Sequence, residues 1–176
     1  GDKVGCIFFS DKVEKFIPPK KGRSHILMII RSLIEFRPES NGTALSEAVR
    51  YLTNVNKKRC TAFLISDFMN PKSDAAPLDD ALKIASSRHD IIAVRVYDPR
   101  EEQMPDVGIV EVRDAETDRT VWVDTSSSAV REHYAAESAA RVEQVAHLLK
   151  HNRIDSVATP TDGDYVAELI KLFKQR

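Results

Sequence analysis

The stretch that decides the fold reads Thr61-Ala62-Phe63-Leu64-Ile65-Ser66-Asp67. Its run of apolar residues is typical of a strand that is covered on both faces in a parallel sheet. A second run of this kind, from Ile91 to Tyr97, ends at Asp98. Between the two runs, apolar residues recur at helical spacing from Leu78 to Ala85. This alternation of strand and helix predicts an α/β fold of three layers, with a doubly wound and mostly parallel sheet.

The other elements follow from the same periodicities, from turn residues and from prolines. We expect a single domain over residues 1–176, with a parallel core in 1–105 and added elements in 106–176. In chain order, the patterns predict a hairpin of Val4–Phe9 and Val13–Ile17 that ends at Pro18-Pro19, a helix from Ser24 to Phe36, a helix over 45–52, a hairpin of Ile109–Arg113 and Thr120–Asp124, a long helix from about Ala129 to Lys150, a short strand over Ser156–Thr159 and a helix over 166–173.

The composition of the chain disfavours several kinds of function. The 176 residues carry a net charge of −1 and are 42% hydrophobic, which is typical of a soluble globular domain. A near-neutral charge disfavours binding to nucleic acid or to an acidic membrane, because both require a clustered basic surface. The apolar runs fall short of the roughly 20 residues that cross a bilayer. Cys6 and Cys60 each lie in an apolar run, as buried free thiols do, so we expect a reducing, cytoplasmic compartment.

Candidate site residues lie where the strands end. In open α/β sheets, ligands bind at the carboxyl ends of strands, so Asp67, Asp98 and the loop Asn41-Gly42-Thr43 are the first candidates for a binding rim. Thr43 and Asp67 offer the hard oxygen ligands that Mg²⁺ prefers, but two ligands are too few to hold a cation by themselves. The alternative is purely structural: Thr43 caps the following helix and Asp67 closes a turn.

Two motifs resemble parts of a known metal site. The segments 41–48, Asn-Gly-Thr-Ala-Leu-Ser-Glu-Ala, and 63–67, Phe-Leu-Ile-Ser-Asp, look like the second and third parts of the metal-ion-dependent adhesion site of von Willebrand factor A domains. Four further segments resemble the bacterial family of unknown function numbered 58, and the resemblance covers nearly the whole chain. They are Val-Tyr-Asp-Pro-Arg-Glu at 96–101, Met-Pro-Asp-Val-Gly at 104–108, Asp-Ala-Glu-Thr-Asp at 114–118, where Asp118 replaces a glycine that is usual in the family, and Val-Asp-Thr at 123–125.

The resemblance implies a role. It implies that Thr43 and Asp67 help to bind Mg²⁺ in the intact protein, and that the domain is a non-enzymatic adaptor. Proteins of this family are commonly encoded beside MoxR-type AAA+ ATPases, which implies such an ATPase as the partner and a client protein that the two act on together.

One part of the adhesion site is not found. Its first motif, Asp-x-Ser-x-Ser after the first strand, supplies most of the metal ligands in such domains, and nothing upstream of Val4 matches it. We therefore expect this chain to begin after that strand and to hold no cofactor. Because the strand lies in mid-sheet in this fold, two of its neighbours would keep unpaired edges, so the sheet is expected to rearrange or to form a homodimer.

Three alternatives to a metal site at Thr43 and Asp67 follow from other residues or from another role of Asp67. Residues 124–128 spell Asp-x-Ser-x-Ser before the long helix, where serines are ordinary capping residues. Glu143, His147 and His151 are spaced to share one helical face as metal ligands, or as a solvated polar face. Asp67 could also be a phosphoacceptor in a Mg²⁺-dependent phosphotransfer or hydrolytic enzyme. The usual nucleophile-elbow and phosphate-loop motifs are missing from the sequence, so we expect no enzyme.

Overall fold

The computed structural model describes residues 1–69, 72–113 and 119–176 of the chain. Its seven strands and six helices are β1 (Val4–Phe9), β2 (Val13–Lys20), α1 (Arg23–Glu35), α2 (Leu45–Val55), β3 (Thr61–Ser66), α3 (Ala75–Arg88), β4 (Asp90–Tyr97), α4 (Pro99–Glu102), β5 (Ile109–Arg113), β6 (Thr120–Asp124), α5 (Ser128–His151), β7 (Asp155–Pro160) and α6 (Tyr165–Gln175). A single 3-10 turn, Lys72–Asp74, precedes α3. None of the described helices is long and apolar enough to span a bilayer.

The predicted α/β class is confirmed, but the described strands form three sheets and not a single doubly wound sheet. β1 pairs with β2 and β5 pairs with β6 in antiparallel hairpins, whereas β3, β4 and β7 form a parallel sheet in that order. Among the described residues, no strand pairs with the outer edge of β1 or of β3. The chain folds into two compact units, Gly1–Lys58 with Asn70–Arg88 and Arg59–Met69 with His89–Arg176.

In the first unit, the β1–β2 hairpin extends further than predicted. β2 continues through Pro18 and Pro19, and Lys20 pairs with Val4. The two prolines lie at a bulge between the pairs Cys6–Ile17 and Val4–Lys20, a position where a missing amide hydrogen does not interrupt the ladder. Gly5 faces this bulge so closely that a Cβ there would lie 2.8 Å from the Ile17 carbonyl oxygen. Only glycine fits this close approach.

The core of the first unit lies between α2 and α3. The two helices are in contact and bury the apolar residues that the periodicity singled out. Helix α1 differs, because it buries no residue and leaves a broad apolar face exposed. The buried residues of the α2–α3 core are Leu45, Ala48, Val49, Leu78, Ala81, Leu82 and Ala85.

In the second unit, α6 covers one face of the parallel sheet. Leu172 of α6 packs on Ile92 and Val94 of the central strand β4. The edge strand β3 is not covered on both faces as its sequence predicts: Phe63 is 47% exposed and Ile65 is 60% exposed. They share a face with Ile92 and Val94, since paired residues of adjacent strands point to the same side. The ring of Phe173 in α6 meets the Phe63 ring edge-on, with ring centroids 6.3 Å apart.

The β5–β6 hairpin has the predicted bounds and is fixed at its base by one threonine. Thr125 is fully buried, and its Oγ1 donates to the Gly108 carbonyl oxygen at 2.6 Å and accepts from the Val107 amide at 2.9 Å. Arg131 of α5 donates to the Thr125 carbonyl oxygen at 2.5 Å. The predicted loop Asp114–Asp118, including Asp118, lies outside the described residues.

Candidate functional site

The two candidate aspartates lie at the same edge of the parallel sheet. β3 ends at Ser66 and β4 ends at Tyr97, so Asp67 and Asp98 are each the first residue beyond a strand. The two strands run parallel, and Ser66 pairs with Arg95. Asp67 and Asp98 therefore both belong to the carboxyl-end rim of the second unit, as the sequence predicts.

Asp67 is exposed and held in a tight turn. Its Oδ1 accepts from the Met69 amide at 3.0 Å and from the Ser66 hydroxyl at 3.3 Å. Phe68, which lies between Asp67 and Met69, has a φ of 61°, and its amide donates to Ser66 Oγ at 3.1 Å. A non-glycine residue in the left-handed region is strained, and such residues often lie in functional turns. The other oxygen, Oδ2, makes no hydrogen bond to the described residues.

Asp98 has a structural task. Its side chain caps the short helix α4, with Oδ1 accepting from the Arg100 amide at 2.9 Å, and Pro99 occupies the first helical position. This arrangement is a standard helix start, since proline has no amide hydrogen to satisfy there. Asp98 thus contributes negative charge to the rim, but one of its oxygens is already engaged.

The loop Asn41-Gly42-Thr43 lies in the first unit, directly before α2. It packs against the turn of the first hairpin: a Cβ on Gly42 would lie 3.2 Å from the Asp11 Cβ, and the Ala44 amide donates to the Ser10 carbonyl oxygen at 2.8 Å. Thr43 is half-buried and is not the helix cap, because the residue in the capping position is Ala44 and it makes no side-chain cap bond. The alternative that Thr43 caps α2 is therefore wrong.

The cap of α2 comes from elsewhere in the chain. Asp74 Oδ2 accepts from the Ser46 amide at 3.2 Å, and Asp74 Oδ1 accepts from the Ser46 hydroxyl. Both residues are buried. A carboxylate at this end of a helix satisfies an amide that has no partner in the first turn and complements the helix dipole. The Thr43 hydroxyl is therefore not needed to cap α2.

The donor chemistry of the predicted pair suits Mg²⁺, whereas the number of donors does not. Thr43 supplies a hydroxyl and Asp67 a carboxylate, both hard oxygen ligands, but Mg²⁺ requires about six. Among the described residues there is no group of three or more histidine, cysteine, aspartate or glutamate side chains placed to hold a metal ion. A metal held by either residue would need further ligands from water, from further chain or from a partner.

The sequence patterns did not single out the positively charged side chain at this rim, Arg95. Arg95, near the carboxyl end of β4, donates to Glu102 of α4 at 2.6 Å, and its guanidinium lies 4.3 Å from the centre of the Tyr97 ring. Its side chain is largely buried, so this ion pair holds α4 and its cap Asp98 against the strand end. The signal was an arginine inside the otherwise apolar run from Ile91 to Tyr97.

The segment 124–128 is occupied by local structure. Asp124 Oδ1 accepts from the Ser126 hydroxyl and from the Ser126 amide, the latter at 3.0 Å, and these bonds hold the pKa of the Asp124 carboxyl below its usual value. Thr125 is the buried anchor of the hairpin, and Ser127 is the cap residue of α5. The Asp-x-Ser-x-Ser pattern here therefore builds a turn and a helix start.

The histidines of α5 are neighbours without further metal ligands. The rings of His147 and His151 stack, with centroids 6.4 Å apart and planes 6° from parallel. With Glu143 they occupy successive turns of the helix, yet the three are not a metal-holding group in the described part of the chain. The solvated polar face is the better interpretation.

A parallel α/β sheet with acidic residues at the carboxyl ends of its strands, followed by a separate hairpin and a long helix, defines an α/β domain with a carboxyl-terminal extension. The model of the family described as "Protein of unknown function DUF58" matches residues 1–144. The chain belongs to this family.

Mycobacterial relatives extend the comparison. An uncharacterised protein of Mycobacterium tuberculosis is 27% identical over 178 aligned residues, which cover 100% of this chain and 55% of that protein. An uncharacterised protein of Mycobacterium avium is 28% identical over 91% of this chain and 93% of its own length. The chain thus spans about half the length of the Mycobacterium tuberculosis protein.

A solved structure supports the fold. The crystal structure of the conserved hypothetical protein BatB from Bacteroides thetaiotaomicron matches 98% of this chain and 80% of its own, with a TM-score of 0.52 at 18% identity. At this identity the match concerns the α/β fold alone.

Proposed function

We propose that this chain is part of a metal-assisted, non-catalytic adaptor domain similar to von Willebrand factor A domains, which binds a MoxR-type AAA+ ATPase. The observation that carries the proposal is the placement of Asp67, exposed beyond a parallel strand with Oδ2 directed to no described partner. Because the Asp67 carboxylate is held through Oδ1, its Oδ2 can bind a ligand from outside the chain.

The local chemistry of Thr43 supports the same role. Because Asp74 takes over the capping of α2, the hydroxyl of Thr43 is not required for the helix. In the intact protein, the Asp67 carboxylate contributes one oxygen ligand, and an aspartate and serines on an upstream strand contribute others. Mg²⁺ bound in this way supplies a positive charge with one open coordination position. A carboxylate of the partner protein fills that position.

The rim is suited to recognition more than to turnover. Asp98 is engaged as a helix cap and Arg95 is paired with Glu102, so neither is available to move a proton or to attack a substrate. Both hold α4 in place beside the strand end, and a rigid rim favours docking of a partner.

Binding to the ATPase tests the proposal. A longer protein that includes the upstream strand is titrated with the MoxR-type ATPase, once in Mg²⁺ and once in EDTA. Interferometry measures the affinity of the two proteins for each other. We expect binding in Mg²⁺ that falls at least about tenfold in EDTA and in Asp67→Ala, which corresponds to ~1.4 kcal/mol. The matched control is Asp80→Ala, which removes an exposed aspartate of α3. Binding that is equally tight in EDTA and in Asp67→Ala contradicts a metal-assisted contact.

A further inference from the structure

The β5–β6 hairpin carries large apolar side chains on an exposed face. Among the described residues, its two strands pair only with each other and form a sheet of their own. Trp122 of β6, the single tryptophan of the chain, is 68% exposed, and Ile109 of β5 is 69% exposed. A two-stranded hairpin is only marginally stable in water, so a partner that covers this face would also stabilise the hairpin.

Two carboxylates lie on the same face as Trp122. Glu111 is the strand partner of Trp122, and Asp124 is the strand partner of Ile109. Directly opposed residues point to one face of a sheet, and so do residues two apart on one strand. Glu111 and Asp124 are both exposed. The Trp122 face, which consists of Ile109, Glu111, Trp122 and Asp124, therefore combines apolar area with negative charge.

The charge of the hairpin favours a basic partner. Residues 109–124 include five acidic and two basic side chains, although the whole chain has a net charge of only −1. The Asp124 carboxylate accepts hydrogen bonds from the Ser126 amide and hydroxyl, which lower its pKa and keep it ionised at neutral pH. Arg113 shares the face but lies at the far end of the hairpin, opposite Thr120. Glu111 and Asp124 therefore attract cations to the rest of the face.

We propose that the Trp122 face binds a basic segment of a partner protein, through an arginine that stacks on the Trp122 indole and pairs with Glu111. A guanidinium group is planar, stacks on aromatic rings and forms two parallel hydrogen bonds to a carboxylate. Opposed Cβ atoms of an antiparallel pair lie about 4.5–5.5 Å apart, so one guanidinium can contact both side chains. Asp124 attracts a second basic residue of the segment, and Ile109 packs on the aliphatic part of its side chain.

Other occupants complement this face less well. A second copy of the same face would bring Glu111 and Asp124 close to their own equivalents, and contact between like charges is unfavourable. The phosphates of a nucleic acid or of a lipid surface would be repelled for the same reason. A basic polypeptide segment complements both the charge and the apolar area, and tryptophan and arginine are among the residues that contribute most to protein interfaces.

The proposal goes beyond the metal-assisted role and does not depend on a metal. The hairpin is fixed at its base by the buried Thr125 and by Arg131, which pairs with Asp106 at 3.4 Å. Binding to the Trp122 face can therefore be measured on this chain without Mg²⁺. A negative result would count against the Trp122 face and leave the proposed role of Asp67 unaffected.

Fluorescence gives the first test, because Trp122 is the only tryptophan of the chain. The purified chain is titrated in EDTA with the peptide Gly-Arg-Gly-Arg-Gly, and with the same peptide in which citrulline replaces arginine. Citrulline keeps the shape of arginine but is uncharged. We expect a saturable change in Trp122 emission with the arginine peptide, and binding of the citrulline peptide that is at least about tenfold weaker. Absence of a saturable change, or equal binding of the two peptides, overturns the proposal.

Charge variants show whether the peptide binds at Glu111. Glu111→Gln should weaken binding of the arginine peptide at least about threefold, because it removes the charge and keeps the size of the side chain. The matched control is Glu143→Gln, at an exposed glutamate of α5, which changes the net charge of the chain by the same amount and should not weaken binding. Equal effects of the two variants would mean that net charge alone attracts the peptide, and would contradict a site at Glu111.

A second pair of variants tests the indole ring. Trp122→Leu keeps apolar surface but removes the aromatic face, so affinity measured by calorimetry should fall at least about threefold. Val121→Thr changes an exposed side chain on the opposite face of the same strand and should leave the affinity unchanged. Circular dichroism verifies that both variants are folded. Binding that is as tight in Trp122→Leu as in the parent contradicts the proposal.

Discussion

Asp74 caps helix α2 by accepting hydrogen bonds from the amide and the hydroxyl of Ser46, which lies 28 residues earlier in the chain. Both side chains are buried, so this contact fixes the 3-10 turn before α3 to the start of α2. It also explains why the residue that the sequence offers as a cap, Thr43, is not used as one.

We expect Asp74→Ala to lower the free energy of unfolding by about 1–3 kcal/mol, because it leaves the buried Ser46 donors without an acceptor. Urea denaturation followed by circular dichroism measures the loss. Asp80→Ala, an exposed aspartate on the neighbouring helix, is the control and should change stability by less than about 0.5 kcal/mol. Equal stability of the two variants would mean that the cap contributes nothing.

A second prediction concerns the carboxyl-terminal arginine. Arg176 pairs with Asp90 at the start of β4 and with Asp155 at the start of β7, the latter at 2.7 Å. The Arg176 guanidinium holds the pKa of the Asp90 carboxyl below its usual value. Because these groups are partly exposed and screened by solvent, we expect Arg176→Gln to cost no more than about 1 kcal/mol at pH 7.

The loss of stability in Arg176→Gln is expected to depend on pH, because it comes from the lowered pKa of Asp90. A carboxyl group with a lowered pKa in the folded state stabilises the fold above its unfolded pKa, which is about 3.9 for aspartate, and loses this contribution as pH falls through the folded value. The stability difference between the parent and Arg176→Gln should therefore be full at pH 7 and shrink below about pH 4. Lys174→Gln, at an exposed neighbour, is the control. A difference that stays constant down to pH 2 would refute the ion-pair explanation.

A third prediction uses the single tryptophan of the chain, Trp122, which lies exposed on β6. Thr125→Val keeps the shape of the buried anchor but removes the hydroxyl that bonds Val107 and Gly108. We expect the hairpin to loosen, with lower fluorescence anisotropy of Trp122 and faster amide exchange in β5. Ser128→Ala, at an exposed serine of α5, should leave both unchanged. Unaltered anisotropy and exchange in Thr125→Val would show that the hydroxyl is dispensable.

Much of the fold could be predicted because it is encoded locally. The bounds of β5 and β6 agree with the sequence, since turn residues and alternating valines determine a hairpin within a short window. The helices α2 and α6 are likewise confirmed within a few residues, because their apolar spacing is regular. The bounds of α5 also agree within a residue or two, although its apolar spacing is not regular.

What the sequence could not predict depends on pairing between distant segments. The composition of β3 indicates a strand covered on both faces, but coverage is decided by which elements lie beside it, and Phe63 and Ile65 remain exposed. Pro18-Pro19 predicts a strand end, but the strand continues past both prolines because they lie at a bulge opposite Gly5. The pairing of Arg95 with Glu102, seven residues apart, needs the turn at Asp98 to bring them together.

Of the candidate site, the sequence placed Asp67 and Asp98 correctly at strand ends, because the carboxyl end of a strand is visible in the pattern. It did not reveal that Asp98 is engaged as a cap or that Asp74 takes over the capping of α2. Hydrogen bonds of that kind depend on backbone geometry that short motifs do not specify.

The most direct test of the central claim is a calorimetric titration with Mg²⁺ or Mn²⁺. This chain is compared with a longer protein extended upstream by roughly 30 residues, enough for a strand and a crossover helix. The account predicts binding to the longer protein only, lost in Asp67→Ala and kept in Asp80→Ala. Binding to neither, or binding to the short chain that survives Asp67→Ala, would contradict the metal-assisted adaptor.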